Sequence, residues 1–382
     1  MQKRTLLTLV LAALVVALPS SSFGAQKKTK GFVIGFANGY FGNNWRAQFI
    51  DDAVAVADKW KARGIVKEFI VQNVNDDVTK QIVQLNALID QGVDALIINP
   101  VSAESLAGVV RRAKQAGVLI VNADDPAAYP GTYSVCGDHR AFIGIQAKWL
   151  SEQLTKPAKV VHLHGLDGNS CDKVRMDETR GILGKNSNVE IIAEAPGGWN
   201  ETKAQDIMSN WLSAYPHIDA VMTQDIQAEG ILRAYDIAGK PYPTMTGDYN
   251  MGFLRKWAAS PQLQSIGVTY NPGIGGDAVE VAIRLLMGWK FKAGVLQPNQ
   301  VNPSLINTVT VSPAFVVTKE AAPNGPWLQG YKLGEFTKKI TLAEALKLGE
   351  GKPDAYLLDG TLEDTVVDNL FDKPAGWVQP WK

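Results

Sequence analysis

From residue 31 onward the chain repeats one pattern, a short β-branched run followed by a stretch with apolar residues three and four apart. Runs at 32–37, 69–73, 95–99 and 118–123 read as strands, and the stretches 45–63 and 78–91 read as helices. Gly64, Gly92 and Gly117 stand where helix C-caps are expected. A second set follows, with strands at 159–164, 189–194, 219–223, 244–246 and 263–268. Its helices start near His139, Asp172, Glu201, Ile226 and Met251, and a further helix covers 275–289. Alternation of this kind predicts an α/β chain with two doubly wound parallel-sheet units, helices covering both faces. After about residue 320 the pattern dissolves into Pro323-Asn324-Gly325-Pro326, one short helix near 342–348 and a tail bearing Trp and Pro. Residues 321–382 therefore read as a C-terminal extension packed on the surface.

The first residues carry a different signal. Lys3 and Arg4 precede an apolar run over 6–18, then Pro19 and the small residues Ser20, Ser21 and Ser22. That order predicts a cleavable secretory signal over 1–24, and the run is short for the alternative, an uncleaved membrane anchor. No later stretch has about 18 uninterrupted apolar residues. Without Lys3 and Arg4 the 38 basic residues fall to 36, against 38 acidic. No basic excess is present to neutralise nucleic-acid phosphates or to bind an anionic membrane surface. Two cysteines, Cys136 and Cys171, leave one disulfide or two buried thiols open, and cannot build a cysteine-based zinc site.

In open parallel sheets, ligands bind beyond the carboxyl ends of the strands. There the sequence places Asn38-Gly39-Tyr40-Phe41-Gly42-Asn43-Asn44-Trp45-Arg46, then Asn99-Pro100 and Asp124-Asp125. In the second unit the ends carry Asp167-Gly168-Asn169-Ser170 with Arg175 beyond, Trp199-Asn200, Gln224-Asp225, Asp248 and Thr269-Tyr270-Asn271. Aromatic faces stack on the C–H side of a sugar ring while carboxylates, amides and guanidinium satisfy its hydroxyls, so this set suits a polyhydroxylated solute. Each residue also has a plainer reading: Asp225 and Asn200 as helix N-caps, Trp45 and Trp199 as core residues.

Enzymatic patterns are missing. His162 and His164 share a strand face and could pair on a metal, although hydrogen-bonded structural roles suit them better. The calcium-loop likeness of Asp167-Gly168-Asn169 lacks the closing glutamate. Gly-x-Ser-x-Gly and a phosphate loop are absent, and Gly273-Ile274-Gly275-Gly276 lacks dinucleotide spacing. No nucleophile–base constellation stands out, so no enzyme, no cofactor and no metal are expected.

At these residues the chain resembles the ribose-type family of periplasmic sugar-binding proteins, the solute receptors of ABC importers, over about residues 31–318. The likeness rests on Leu96-Ile97-Ile98-Asn99-Pro100, on the run 118–124 ending in an acid, on Gly165 through Arg175, and on Gln224-Asp225 followed by Gly230 and Leu232-Arg233-Ala234. Gly247-Asp248 and Tyr270-Asn271-Pro272 complete the series. The resemblance implies the type I periplasmic binding fold, two lobes joined by a three-crossing hinge: 31–137 with 271–305, and 138–270 with 306–320. It implies a monomer that closes on a monosaccharide or small polyol and docks to a membrane permease, without contact to nucleic acid. The family's ligand positions fall on Asn43, Trp45, Arg46, Asn99 and Asp124 in the first lobe. In the second they fall on Arg175, Trp199, Gln224 or the adjoining Asp225, Asp248 and Tyr270. Asp125 stands where the ribose binders have arginine, Tyr270 where they have glutamine, and two tryptophans where they have phenylalanine. By the same layout Cys136 lies near the first crossing and Cys171 in a cleft-side loop, which makes them a disulfide candidate. A receptor that presents its solute to a chemoreceptor or sensor kinase is the alternative function. An intracellular regulator is disfavoured by the leader and the missing DNA-binding head, and a glycosidase by the missing catalytic pattern.

Overall fold

A computed structural model describes residues 31–378; the expected signal segment lies outside them. In the first half, β1 (Phe32–Asn38), β2 (Val66–Asn73), β3 (Ala95–Asn99), β4 (Leu119–Ala123) and β5 (Tyr133–Gly137) alternate with α1 (Asn44–Ala62), α2 (Val78–Asp90) and α3 (Ala107–Ala116). After α4 (His139–Gln153), the strands β6 (Ala158–His164), β7 (Val189–Pro196), β8 (Ala220–Thr223), β9 (Thr244–Thr246) and β10 (Ser265–Val268) repeat the plan. They alternate with α5 (Ser170–Leu183), α6 (Glu201–Ala214), α7 (Ala228–Ala238) and α8 (Met251–Ala258). The chain returns to the first lobe with α9 (Ile274–Leu286), β11 (Lys290–Phe291), β12 (Gln297–Pro298) and β13 (Ile306–Val311), then gives β14 (Phe315–Thr318) to the second.

Each lobe is a seven-stranded sheet, ordered β12-β13-β5-β4-β3-β1-β2 in the first and β15-β14-β10-β9-β8-β6-β7 in the second, β15 being residues Lys338–Thr341. Strands β1–β5 of the first sheet and β6–β10 of the second are parallel. Their order 2-1-3-4-5 reverses direction between β1 and β3, and again between β6 and β8, which creates a crevice at each switch point. Period-2 alternation explains the all-apolar strand interiors. Ala95 and Ile97 of β3 face one core layer, while Leu96 and Ile98 face the other, against α2 and α3. Gly64, Gly92 and Gly117 all take left-handed backbone angles just past their helices, as the sequence predicts.

Two expectations change. β13 pairs with β5, so residues 306–311 belong to the first sheet, and the third crossing falls after Val311 rather than before Ile306. The parallel ladder Thr308–Ser134 through Val311–Gly137 covers an otherwise open edge, which is the physical reason. The extension is also more than a surface layer. It adds β15 beside β14 and packs α10 (Leu342–Leu348) on α8. It then passes back to the first lobe, where α11 (Asp364–Asp368) packs on α9 and β16 (Phe371–Asp372) pairs with β11. At this fourth passage Leu357 exchanges hydrogen bonds with the side chain of Gln48, and Gly273 N–H donates to Asp359 at 3.0 Å. Arg284, 2% exposed, ties the segment in by donating to Asp368 at 2.8 Å while pairing with buried Glu280, which accepts from Trp60 Nε1.

Candidate functional site

The strand tips of the two lobes meet around a small cavity of about 30 Å³, far below the roughly 300–1,000 Å³ typical of ligand pockets. The lobes are closed on each other. Asn43 Nδ2 donates to the carbonyl of Trp199 at 3.1 Å, and Cys171 Sγ donates to Asp125 Oδ1 at 2.7 Å. From the first lobe come Tyr40, Asn43, Trp45, Arg46, Asp124 and Asp125; from the second and the hinge come Cys171, Arg175, Trp199, Asp225, Ile226 and Tyr270.

Local chemistry holds these groups in place. Asn43 caps α1 by accepting from Arg46 N–H, so the first turn of that helix presents Trp45 and Arg46 at the end of β1. Arg46 forms a buried ion pair with Asp124 at 2.9 Å, and Arg175 forms another with Asp225 at 2.8 Å. The Arg175 guanidinium also lies over Phe142 and Tyr270, 4.6 and 4.4 Å from the ring centres. Tyr270 stacks on Trp45 and His139, and its hydroxyl donates to Asp124 at 2.8 Å. Trp199 donates from Nε1 to Gln224 at 2.9 Å.

Two glycines make room for the rings. A Cβ on Gly137 would stand 2.2 Å from the Tyr270 ring, and one on Gly165 would stand 2.2 Å from the Trp199 indole. Each glycine ends or follows a strand and gives a flat floor on which an aromatic lies. Asp124 and Trp199 themselves take left-handed φ values of 71° and 52°. For a residue with a Cβ this costs roughly 1–2 kcal/mol, and such outliers cluster at binding sites.

Burial sets the protonation. Asp125 is pushed up to about 6, first by burial and then by neighbouring Asp124. Burial also raises Asp225 against the opposing pull of Arg175. His139, between Arg175 and the Tyr270 hydroxyl, is held well below the usual imidazole range by burial and by that guanidinium.

Of the residues picked from sequence, Asn43, Trp45, Arg46, Asp124, Asp125, Arg175, Trp199, Asp225 and Tyr270 come together on the cavity wall. Asn99, Gln224 and Asp248 stand one layer behind it. Asn99 donates to both Asp124 and Asp125, Gln224 bridges Trp199 and Asp172, and Asp248 accepts from Ala228 N–H. Asn200 is the N-cap of α6, whereas Asp225 spends its oxygens on Arg175 and Tyr249. Trp45 serves both readings, packed on Phe49 in the first-lobe core with an edge on the cavity. Sequence reasoning placed Tyr40 at the end of β1 without assigning it a ligand role, and missed Ile226 and the supporting His139; the glycine floors were the signal available for the aromatic positions.

The candidate disulfide is not formed. Cys136 and Cys171 are separate buried thiols; Cys171 comes from the second lobe and donates a hydrogen bond to Asp125. Burial raises both thiols well above their ordinary value. Alkylation of the unfolded, unreduced protein is expected to add two adducts by mass spectrometry; no adducts would mean a disulfide. His162 and His164 are hydrogen-bonded to Glu194 and Asp172, the structural role favoured from sequence. Asp124, His139 and Cys171 could bring ligand atoms within 4.8 Å of one another. All three are engaged, and the Arg175 guanidinium on His139 opposes a cation there.

Two α/β lobes closed on a cavity walled from both sides have the architecture of a cleft-type binding protein. Residues 34–290 match the family model described as a periplasmic binding protein domain, and the chain belongs to that family. It is 27% identical over 285 residues to the ribose import binding protein of Bacillus subtilis, covering 74% of this chain and 89% of that one. A shorter match, 31% over 176 residues, covers 45% of this chain and 50% of the xylitol-binding protein of Mycolicibacterium smegmatis. Among solved structures, an ABC transporter solute binding protein from Thermobispora bispora superposes with a TM-score of 0.67 at 23% identity, over 87% of this chain and 100% of that one. Among the described residues no helix is long and apolar enough to cross a membrane.

Proposed function

We propose that the chain is an exported, monomeric solute receptor of an ABC importer, taking a monosaccharide or small polyol into the interlobe cleft and handing it to a membrane permease. The observation that carries this reading is the cavity between the lobes, lined by Trp45 of the first, Trp199 of the second and two ion-paired arginines. Aromatic faces and fixed hydrogen-bonding edges together recognise a ring or chain of hydroxyls. Ribose import and xylitol-binding relatives support the solute class. Both guanidiniums are tied to carboxylates rather than set against a nucleophile, which supports binding without chemistry.

A thermal-shift screen over pentoses, hexoses, furanoses, deoxysugars, amino sugars and acyclic polyols tests this. A solute at about 100 times its Kd stabilises by roughly 2.7 kcal/mol, a rise of a few degrees. One or two members of the panel should give that rise; a flat response across all of them sinks the reading.

A further inference from the structure

Five side chains of formal charge line the cavity: Arg46, Arg175, Asp124, Asp125 and Asp225. The two guanidiniums are matched one to one, Arg46 with Asp124 and Arg175 with Asp225. Asp125 is left over. Its oxygens accept only from neutral donors: the Asn99 amide at 3.1 Å, the Cys171 thiol at 2.7 Å and the Ser170 hydroxyl at 3.4 Å. The residue is 4% exposed, and a buried carboxylate without a cation is costly because neutral donors do not cancel its charge. Meanwhile Arg46, 6% exposed, keeps Nε and Nη1 buried with no partner among the described residues. Among the described residues the cleft wall thus presents one carboxylate bonded only by neutral donors and two guanidinium N–H groups without an acceptor.

We infer that the solute carries a protonated amino group, so that the ligand class is an amino sugar or amino polyol, its ammonium on Asp125 and its hydroxyl oxygens on Arg46. The inference rests on the solute-receptor reading above and narrows it. Burial and Asp124 lift the Asp125 carboxyl to about 6 and Arg46 offsets them only in part, so a directly bonded cation would favour its charged form. An ammonium brings three donors and a positive charge, whereas a hydroxyl in the same place brings one donor and no charge.

The test is calorimetric titration of the full chain at pH 7.5 with matched pairs differing only in NH₃⁺ against OH: glucosamine and glucose, galactosamine and galactose, an inosamine and its inositol. At least one amine should bind roughly tenfold or more tighter than its hydroxyl partner, as a hydrogen bond to the carboxylate becomes a hydrogen-bonded ion pair. In Asp125→Asn, which keeps the shape and removes the charge, the ratio of amine to hydroxyl affinity should collapse toward one. Hydroxyl members binding as tightly as the amines, or a preference that survives Asp125→Asn, overturns the inference and leaves the solute-receptor reading standing. No binding by either half of the panel removes both. The comparison on the unaltered protein is decisive even where the variant does not fold.

Discussion

Trp199→Ala is expected to weaken solute binding roughly 10- to 150-fold, the loss of about 1.5–3 kcal/mol of aromatic burial on the solute. The empty variant should melt within about 2 °C of the parent, because a half-buried side chain away from the core contributes little to stability. Trp199 lies on Gly165, and its one side-chain hydrogen bond goes to Gln224. Its backbone carbonyl, which receives Asn43 from the other lobe, survives the change. Titration by thermal shift or calorimetry reads the effect, and parent-like binding would show that the solute sits elsewhere. Asp124→Ala is a different experiment. It strands the Arg46 guanidinium in the interior, where breaking one half of a buried pair costs roughly 3–5 kcal/mol, so lost binding would be confounded by lost stability.

Deleting residues 321–382 should leave a chain that is insoluble or melts more than about 10 °C below the parent. The extension buries Trp327, Leu342, Leu357, Leu358, Val367 and Phe371, each below 8% exposure. At about 1.5–3 kcal/mol for a large apolar side chain, the gross transfer term is on the order of 10 kcal/mol. The entropy of ordering the segment offsets part of that, but the rest of the protein loses as well. β14 would become a bare edge strand, and Arg284 would lose Asp368 while remaining beside buried Glu280. Circular dichroism melts of the truncated and full chains decide it. A truncated chain melting within a few degrees of the parent would mean the extension is dispensable packing.

Much of the fold was legible because parallel strands buried on both faces are continuous apolar runs, and helices between them announce themselves by period and by a left-handed glycine. Ala95–Asn99 and Thr244–Thr246 fall where the pattern put them. Besides β13 and β14, which were not read as strands, what escaped was structure without an apolar signature. β5 lies just beyond a Pro130-Gly131 turn and opens on Tyr133-Ser134, and β15 reads Lys-Lys-Ile-Thr, an edge strand whose polar face meets water. The site was legible as a set of strand ends but not in its facing. Neighbours on an extended chain point opposite ways, so Asp248 turns to Ala228 while Tyr249 reaches Asp225. Period alone does not say which of two adjacent polar residues faces the cavity.

The fourth passage brings the chain home. Phe32, at the start of β1, and Asp372, in β16, ride on the same rigid body, although everything between them visits the other lobe twice. Fluorophores fused near both ends would therefore keep a fixed separation whatever the hinge does, and such a sensor would be silent. Moving one dye to exposed Lys185, just past α5 on the opposite body, turns the same pair into a gauge of the angle between them.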